Sequence, residues 1–373
     1  MQIDTILVKV ASRCNIDCTY CYIFNMGDEG WRAMPNLMSE DTIKDLARSL
    51  SQLLKDQDVP FATVLHGGEP LMLGARRLQY LLKELREVLP LAYPISLQTN
   101  GVLITEEILD LCSHYRVAIS ISIDGPKETN DKFRVDKQGR GTYQEVVNGI
   151  TLLKNHSDSE FLYAGLLSVI DPDSDPEEVY KCLKGLGTKS IDFLYRDGNH
   201  TSLPYGKSSL DSTEYGEWLV KLLDMYIADK TPVRIRFLDD ILRIALGGIG
   251  VKEGLGDNFY GIAIIETDGS LAKNDTLKSN FDGADKFDEK WIIQTDRLSE
   301  AFNTSSFAEY YKLQNPTSSK CNSCEYLAIC GGGMPLHRWS KDNAYDNPSV
   351  YCSDQKLLIS RAISILKKEG MLQ

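Results

Sequence analysis

Hydrophobic and polar positions in the first 230 residues follow two alternating patterns. Apolar residues recur three and four positions apart in the stretches that look helical, and the first such set follows the N-cap candidate Ser39: Ile43, Leu46, Ala47, Leu50 and Leu53. Short apolar runs typical of buried strands occupy 3–10, 61–66, 94–98, 117–123, 161–170 and 190–195. Six strand–helix units in succession predict an α/β fold with a parallel sheet, either an open doubly wound sheet or a partial barrel.

The pattern changes from about residue 231. A strand and a helix in VRIRFLDDILRIAL are followed by a glycine-rich passage over 247–261, a strand and turn in AIIETDGS, and an irregular region. A helix over 354–369, with apolar residues on one face, ends the pattern. We therefore predict two domains, 1–230 and 231–373.

Composition and charge narrow the range of partners. The chain has 373 residues, with 53 acidic and 41 basic side chains and a formal net charge of −12, so it lacks the cations that a nucleic-acid partner would require. The longest apolar runs are too short to span a membrane. No secretory signal pattern precedes the first strand, so we expect a cytoplasmic protein. Because that strand begins near residue 3, we also expect no peptide-binding domain ahead of it.

Three of the nine cysteines, Cys14, Cys18 and Cys21, follow the first strand with the spacing C-x3-C-x2-C. An odd trio this close in sequence cannot pair internally as disulfides, and clustered thiols in a reducing compartment favour metal binding. Three thiolates suit a cubane iron–sulfur cluster that leaves one iron free to bind a small molecule. A structural zinc site is the alternative, but it would need a fourth ligand.

A second group of cysteines has the spacing C-x2-C-x5-C-x21-C and comprises Cys321, Cys324, Cys330 and Cys352. Four thiolates close a site completely, so they suit either an iron–sulfur cluster or a tetrahedral zinc ion. The two remaining cysteines, Cys112 and Cys182, stand alone in helical patterns and are predicted to be small core residues.

The first cysteine motif, with Tyr20 before its last cysteine, resembles the signature of radical SAM enzymes, and the resemblance extends over nearly the whole chain. In that family a [4Fe-4S] cluster binds S-adenosyl-L-methionine (SAM) and cleaves it to a 5′-deoxyadenosyl radical, which removes a hydrogen atom from a C–H bond. The resemblance implies a partial (βα)6 TIM-like barrel, SAM and a [4Fe-4S] cluster as cofactors, and an oxidoreductase activity.

Further motifs at the ends of successive predicted strands fit the same family. HGGEP resembles the family's GGE motif, in which Gly67, Gly68 and Glu69 hold the SAM amino group. The two glycines let the backbone approach the ligand closely, and the Glu69 carboxylate can accept hydrogen bonds from an ammonium group. The resemblance assigns the other SAM contacts to Ser122 (ribose), Arg134 (carboxylate, through a bidentate guanidinium), and Val169 and Ile170 (adenine). For the last two, a role in the strand core is an equally good interpretation.

The second cysteine group resembles the SPASM extension, or its shortened twitch form, of radical SAM enzymes that modify peptides. A full SPASM domain carries two auxiliary clusters, but Asn274 and Met334 stand where further cysteine ligands are expected. We therefore predict one auxiliary [4Fe-4S] cluster, on the four cysteines of the second group.

Asp275 matches the aspartate that takes a proton from the substrate in SPASM sulfatase-maturing enzymes. A radical that is oxidised must lose a proton as well as an electron, and a carboxylate can accept it. A surface carboxylate in a turn is the alternative interpretation.

The runs CYIFNMGDEGWRAMPNLMS and ETDGS with NDTLK most resemble the cyclophane-forming peptide maturases. Those enzymes act on ribosomally made precursor peptides (RiPPs) and join an aromatic ring carbon to the β-carbon of a residue two positions later. Thioether formation, epimerisation and formylglycine formation in a sulfatase remain alternatives, as does an iron–sulfur redox or sensor module without a substrate. The resemblance also implies a flavodoxin or ferredoxin as electron donor.

Overall fold

The computed structural model describes residues 2–372 and confirms the predicted α/β fold of parallel strands. Its strands are β1 (Thr5–Ala11), β2 (Ala62–Gly67), β3 (Ile95–Thr99), β4 (Val117–Ser122), β5 (Tyr163–Val169), β6 (Ser190–Leu194), β7 (Arg234–Ile235), β8 (Ile262–Ile265) and β9 (Leu271–Ala272). The six predicted strands correspond to β1–β6, with ends that differ by at most two residues.

The helices alternate with these strands. They are α1 (Glu40–Asp56), α2 (Ala75–Val88), α3 (Glu106–His114), α4 (Lys127–Phe133), α5 (Tyr143–Asn155), α6 (Ser159–Leu162), α7 (Pro176–Gly185), α8 (Glu214–Ala228), α9 (Arg236–Ala245), α10 (Leu298–Ala301), α11 (Ser305–Lys312), α12 (Ser319–Asn322), α13 (Leu327–Cys330) and α14 (Cys352–Lys368). Among residues 2–372, four 3-10 helices cover Gly30–Ala33, Pro70–Leu73, Asp275–Ser279 and Pro335–Arg338. None of the helices in residues 2–372 combines the length and the apolar character needed to cross a membrane.

The chain forms two compact units whose segments alternate along the sequence. The first comprises the described residues up to Ile123, then Asn130–Gly165 and Tyr260–Tyr311. The second comprises Asp124–Thr129, Leu166–Phe259 and the described residues from Lys312 onward. This division does not follow a single boundary near residue 230, and the assignment of separate functions to 1–230 and 231–373 stays a prediction.

In the first unit, β1 lies between β2 and β8 and runs parallel to both. The sheet continues from β2 to β3 and β4, all parallel, whereas β9 is antiparallel to β8. The register places Lys9 beside His66 and Val8 beside Ile265. The late strand β8 therefore holds the segment around residues 266–275 next to the strand that leads into the first cysteine motif.

Local sequence explains why the elements of this unit form. The Ser39 side chain caps α1 by accepting a hydrogen bond from the Thr42 amide, and Glu40 and Asp41 complement the positive end of the helix. The predicted apolar face of α1 is buried, as the periodicity requires. In β2 alternate residues are buried, so the remaining ones point to the opposite face of the sheet.

The second unit contains the parallel strands β6 and β7 and the part of β5 that pairs with β6 from Leu166 onward. Helices α8 and α14 pack closely, because a Cβ at Gly216 would lie 2.7 Å from the Asp354 Cα. Asp354 accepts hydrogen bonds from the Gly216 amide at 2.8 Å and from Lys207 Nζ at 2.6 Å. Lys207 and Asp354 are fully buried, so their ion pair ties α14 to α8 and to the loop that carries Lys207.

Candidate active site

The loop that follows β1 carries Cys14, Cys18 and Cys21, all as free thiols. Burial raises the pKa of Cys14 to about 12, and the nearby charges of Glu69, Cys18 and Cys21 add to that rise. Three thiols that share one loop and repel one another as thiolates are held together favourably by a cation. The trio therefore fits the three-ligand cluster that the spacing predicts.

Gly67 and Gly68 lie directly against this cysteine loop. The Gly68 amide donates to the Ala11 carbonyl at 2.8 Å, and the Glu69 amide donates to the Arg13 carbonyl at 2.9 Å. A Cβ at Gly67, where φ is +148°, would lie 2.1 Å from the Ala11 oxygen, and one at Gly68 would lie 2.4 Å from the Arg13 oxygen. The two glycines are thus required for the approach of two backbone segments, a reason that the sequence motif alone did not reveal.

Glu69 is buried at the end of this motif and already has three donors. Its carboxylate accepts from Thr99 Oγ1 at 2.6 Å, from the Asn100 amide at 2.8 Å and from the Leu71 amide at 3.0 Å. Burial raises its pKa in spite of these hydrogen bonds. A fixed, buried carboxylate suits the predicted role of accepting from the SAM ammonium group, which remains a prediction.

The other predicted SAM contacts of the first unit lie at strand ends or in the segment after α4. Arg134 is buried and donates from Nη1 to the Tyr20 hydroxyl at 2.9 Å, which connects it to the cysteine loop. Ser122 ends β4, and its hydroxyl accepts from Gln98 Nε2 at 2.9 Å. The Arg134 guanidinium could still contact the SAM carboxylate, and the Ser122 hydroxyl could still contact the ribose.

Val169 and Ile170 belong to the second unit, at the end of β5. The Val169 amide donates to Asp124 Oδ1 at 3.0 Å, and the Ile170 side chain is buried. Contact with adenine stays a prediction for this pair, since burial in a strand fits a core position equally well.

Asp275 is buried in the first unit, not exposed in a surface turn. Its Oδ1 accepts from Lys9 Nζ at 2.5 Å, and its Oδ2 accepts from the Tyr22 hydroxyl at 3.2 Å. Burial raises the pKa of Asp275, but the positive charges of Lys9 and Lys278 outweigh burial and lower the pKa below its ordinary value. The alternative interpretation of a surface carboxylate is therefore wrong.

Lys9 and His66 were not identified from the sequence. Lys9 is the one cation within the apolar strand TILVKVA, and that anomaly was a usable signal. His66 lies beside Lys9 in the register of β1 and β2, and burial lowers its pKa to about 4, so the imidazole is neutral. No sequence pattern reveals which buried polar residue contacts another across strands.

Two lysines and four carboxylates form a buried network around Asp275. Lys9 also donates to Glu266 Oε1 at 3.0 Å, and Lys278 Nζ lies 2.6 Å from Asp285 Oδ2 and 3.4 Å from Asp28 Oδ2. Glu266, Asp275 and Asp285 bring their oxygens within 4.8 Å of one another. The ammonium groups of Lys9 and Lys278 lie among these oxygens and offset two of the four carboxylate charges.

A cavity of about 310 Å³ adjoins the network within the first unit. Lys9, Glu266, Lys278 and Asp285 line it together with Gly67 and Gly68, and the exposed Lys286, Asp288, Glu289 and Lys290 also belong to its wall. The cavity therefore connects the buried network with the protein surface.

The four cysteines of the second group lie together in the second unit. Burial raises the pKa of Cys330 to about 12, and the charges of Cys352, Cys321 and Cys324 contribute to that rise. The four thiols therefore fit the closed four-ligand site that the spacing predicts.

A further auxiliary cluster would need ligands at residues 274 and 334, where Asn274 and Met334 have other structural roles. Asn274 caps the 3-10 helix Asp275–Ser279, because its Oδ1 accepts from the Thr276 amide at 3.0 Å. In the second unit, Met334 packs against Gly254, where a Cβ would lie 3.0 Å from its side chain. Neither side chain is a usual iron–sulfur ligand.

Comparisons with known proteins agree with this site. Residues 8–183 match the model of the Radical SAM superfamily. The chain is 27% identical over 364 residues, 94% of each sequence, to the cysteine-type anaerobic sulfatase-maturating enzyme of Clostridium perfringens.

Two solved structures have a similar fold. That of native anSMEcpe with bound AdoMet has a TM-score of 0.83 at 23% identity and covers 98% of this chain and 99% of its own. Streptococcus suis SuiB bound to precursor peptide SuiA has a TM-score of 0.60 at 14% identity and covers 90% of this chain and 72% of its own. With its cysteine motif and its parallel α/β fold, the chain contains a Radical SAM domain over residues 8–183.

Proposed function

We propose that the chain is a radical SAM peptide maturase that forms a three-residue cyclophane in a ribosomally made precursor peptide. The new carbon–carbon bond would join an aromatic ring carbon to the β-carbon of a residue two positions later. Asp275, a buried and ionised carboxylate hydrogen-bonded to Tyr22 next to the cysteine loop, supports oxidation of a peptide. The observation that carries the cyclophane is that Asn274 and Met334 stand where ligands of a further auxiliary cluster would be needed. Relatives that mature sulfatases or were solved with a precursor peptide support a peptide as substrate.

Different residues of the first unit would bind the iron–sulfur cluster and SAM. Cys14, Cys18 and Cys21 would hold a [4Fe-4S] cluster, which with bound SAM supplies the radical that removes a β-hydrogen from the peptide. Glu69 would accept from the SAM ammonium group and Arg134 would pair with its carboxylate. The cluster on the four C-terminal cysteines would serve as the electron acceptor.

Asp275 has the proton-accepting task. After the β-carbon has bonded to the ring, the ring must lose one electron and one proton to become aromatic again. The Asp275 carboxylate takes that proton, while Tyr22 and Lys9 hold its two oxygens in a fixed orientation. The peptide loses two hydrogens in all, one as an atom and one as a proton with its electron.

Formylglycine formation is the second candidate, favoured by the sequence similarity over 94% of the sulfatase-maturating relative. It requires the same β-hydrogen abstraction and the same proton acceptor. Asn274 and Met334 stand where a further auxiliary cluster would need ligands, so we expect one auxiliary cluster. A single auxiliary cluster favours the cyclophane over formylglycine.

The test is incubation of the reduced, cluster-loaded enzyme with SAM and two kinds of peptide, followed by tandem mass spectrometry. One is the product of a short reading frame beside the gene, and the other is a sulfatase-type peptide that contains cysteine. We expect the first to lose two hydrogens and to resist fragmentation across three residues that include an aromatic one. Exchange of sulfur for oxygen together with the loss of two hydrogens in the second, giving an aldehyde that reacts with a hydrazide, would establish the sulfatase activity instead.

Two other outcomes identify the remaining chemistries. A loss of two hydrogens centred on cysteine would indicate a thioether, and deuterium uptake at an α-carbon without a mass change in ordinary water would indicate epimerisation. A flavodoxin or ferredoxin as electron donor and a location in the cytoplasm are part of the same proposal.

A further inference from the structure

The Asp275 carboxylate is buried, and Lys9 connects it to a second carboxylate. Lys9 Nζ donates both to Asp275 Oδ1, at 2.5 Å, and to Glu266 Oε1, at 3.0 Å. The three side chains are almost entirely buried. Lys9 is therefore a single donor that links two acceptors, Asp275 and Glu266, in one continuous hydrogen-bonded network.

Glu266 is the member of this chain that meets the cavity. It lines the 310 Å³ space together with Lys9 and Lys278, whereas Asp275 does not line it. A space of this volume holds several water molecules, each of which occupies about 30 Å³ in the liquid. The wall of the cavity also includes exposed residues such as Asp288 and Glu289, so a proton on Glu266 has a path outward.

We propose that Lys9 and Glu266 carry the proton that Asp275 removes from the substrate to the cavity beside them. Lys9 gives one ammonium proton to Glu266 and takes the proton held by Asp275. The Asp275 carboxylate and the Lys9 ammonium are thereby restored, and Glu266 releases its proton to water. The inference rests on the proposed function, since it assumes that Asp275 is the proton acceptor.

The surrounding charges set the direction of this transfer. Asp275 is stabilised as a carboxylate by Lys9 and Lys278, while burial raises the pKa of Glu266 above its ordinary value in spite of the same lysines. His66, which faces Asp275, is neutral because burial lowers its pKa to about 4. Asp28 and Asp285 share Lys278, whose Nζ also lies 3.7 Å from Glu266 Oε1. A proton is therefore more stable on Glu266 than on Asp275.

The first test needs no peptide. Infrared difference spectra of the cluster-loaded enzyme, recorded while the pH is lowered, should show the band of a protonated buried carboxyl group. The component of this band that Glu266→Gln removes should remain in Asp275→Asn and in the control Asp28→Asn, which removes another buried carboxylate of the same network. A band lost in Asp275→Asn and retained in Glu266→Gln would overturn the proposal.

The second test uses turnover. Glu266→Gln should form 5′-deoxyadenosine at the wild-type rate, but its peptide product per 5′-deoxyadenosine should fall by about tenfold, less than the full effect of losing a general base. The ratio should rise as the pH rises, because hydroxide can then remove the proton, and Glu266→Asp should restore part of it. An unchanged ratio and pH profile in Glu266→Gln would refute the relay. A wild-type enzyme that consumes SAM without altering any peptide would refute the proposed function, while the infrared result would still decide the relay.

Discussion

Arg134 donates a hydrogen bond from Nη1 to the Tyr20 hydroxyl at 2.9 Å, so the predicted ligand of the SAM carboxylate is attached to the aromatic residue of the cysteine motif. A guanidinium that must reach a carboxylate bidentately depends on its orientation. Tyr20 thus contributes to SAM binding through Arg134 as well as through its place in the loop.

We expect Tyr20→Phe to weaken SAM binding by about 10- to 100-fold, because a hydrogen bond to a charged group is worth roughly 1.5–3 kcal/mol. Equilibrium binding of SAM to the cluster-loaded enzyme measures this effect. Tyr80→Phe, on the outer helix α2, is the matched control and should bind SAM normally. Normal binding by Tyr20→Phe would show that Arg134 is held in place without the tyrosine.

Gly67→Ala should abolish SAM cleavage and reduce the iron content of the first cluster. The new Cβ would lie 2.1 Å from the Ala11 oxygen, so either the β2 end or the cysteine loop must move. Gly185→Ala, in α7, is the control, because a Cβ there meets nothing within 4 Å. That variant should gain about 0.5–1 kcal/mol of stability and retain full activity. Wild-type activity in Gly67→Ala would contradict the close approach seen here.

Cys321→Ala should halve the iron content of the anaerobically reconstituted protein. The ligand count predicts roughly eight irons in two cubanes, and this substitution removes a ligand of the second cluster alone. Cleavage of SAM should persist, because Cys14, Cys18 and Cys21 are untouched. Iron and zinc analysis together provide the check, and about four irons with one zinc in the unaltered protein would show that the C-terminal site binds zinc.

Asp275→Asn should uncouple SAM cleavage from product formation. An amide cannot accept the substrate proton, so we expect 5′-deoxyadenosine to form while the peptide product falls by about a hundredfold or more. In the wild type the lowered pKa of Asp275 keeps the carboxylate ionised, so product formation should persist below the ordinary carboxyl pKa and fail only in stronger acid. Unchanged product in Asp275→Asn would remove this residue from the mechanism.

The lowered pKa of Asp275 also affects the stability of the fold. A carboxylate whose pKa is depressed by folding stabilises the protein at pH values above its unfolded pKa, and that contribution is lost as the pH falls through the folded pKa. The loss of stability in Lys9→Met should therefore be largest near neutral pH and should shrink as the pH falls through the folded pKa of Asp275. Denaturant unfolding of the variant and the wild type at several pH values would show this change.

Lys207→Met should lower the free energy of unfolding by about 3–5 kcal/mol, because it leaves Asp354 as an uncompensated buried charge. Adding Asp354→Asn should restore much of the loss, since asparagine is neutral and can still accept from the Gly216 amide. Denaturant unfolding of the two variants measures the difference. Equal stability of Lys207→Met and wild type would mean that the pair is not closed in solution.

Periodicity predicted the elements well because each one depends on its own residues. Ser39, the apolar face of α1 and the six predicted strands all follow from spacing and capping. The cysteine spacing and HGGEP likewise identified the loop that the structure places against the end of β2. These features are local, and a single sequence contains them.

The network around Asp275 could not be predicted in the same way. Lys9 and Glu266 are separated by 257 residues and meet because β8 pairs with β1, a long-range choice that no local pattern encodes. The predicted boundary near residue 230 separated β8 from β1 for the same reason. His66 and Lys278 gained their roles from that pairing, so they could be found only after it was known.

The pairing of β8 with β1 also limits how the chain can be shortened. A fragment that ends near residue 230 would lack β8 and would leave the backbone amides and carbonyls of β1 exposed as an edge strand. Unprotected edges recruit other chains, so such a fragment should aggregate rather than fold as an isolated catalytic half. It would also leave Lys9 buried without either of its carboxylate partners. Evolutionary loss of the C-terminal region would therefore require a replacement for β8, not merely for the cysteines that follow it.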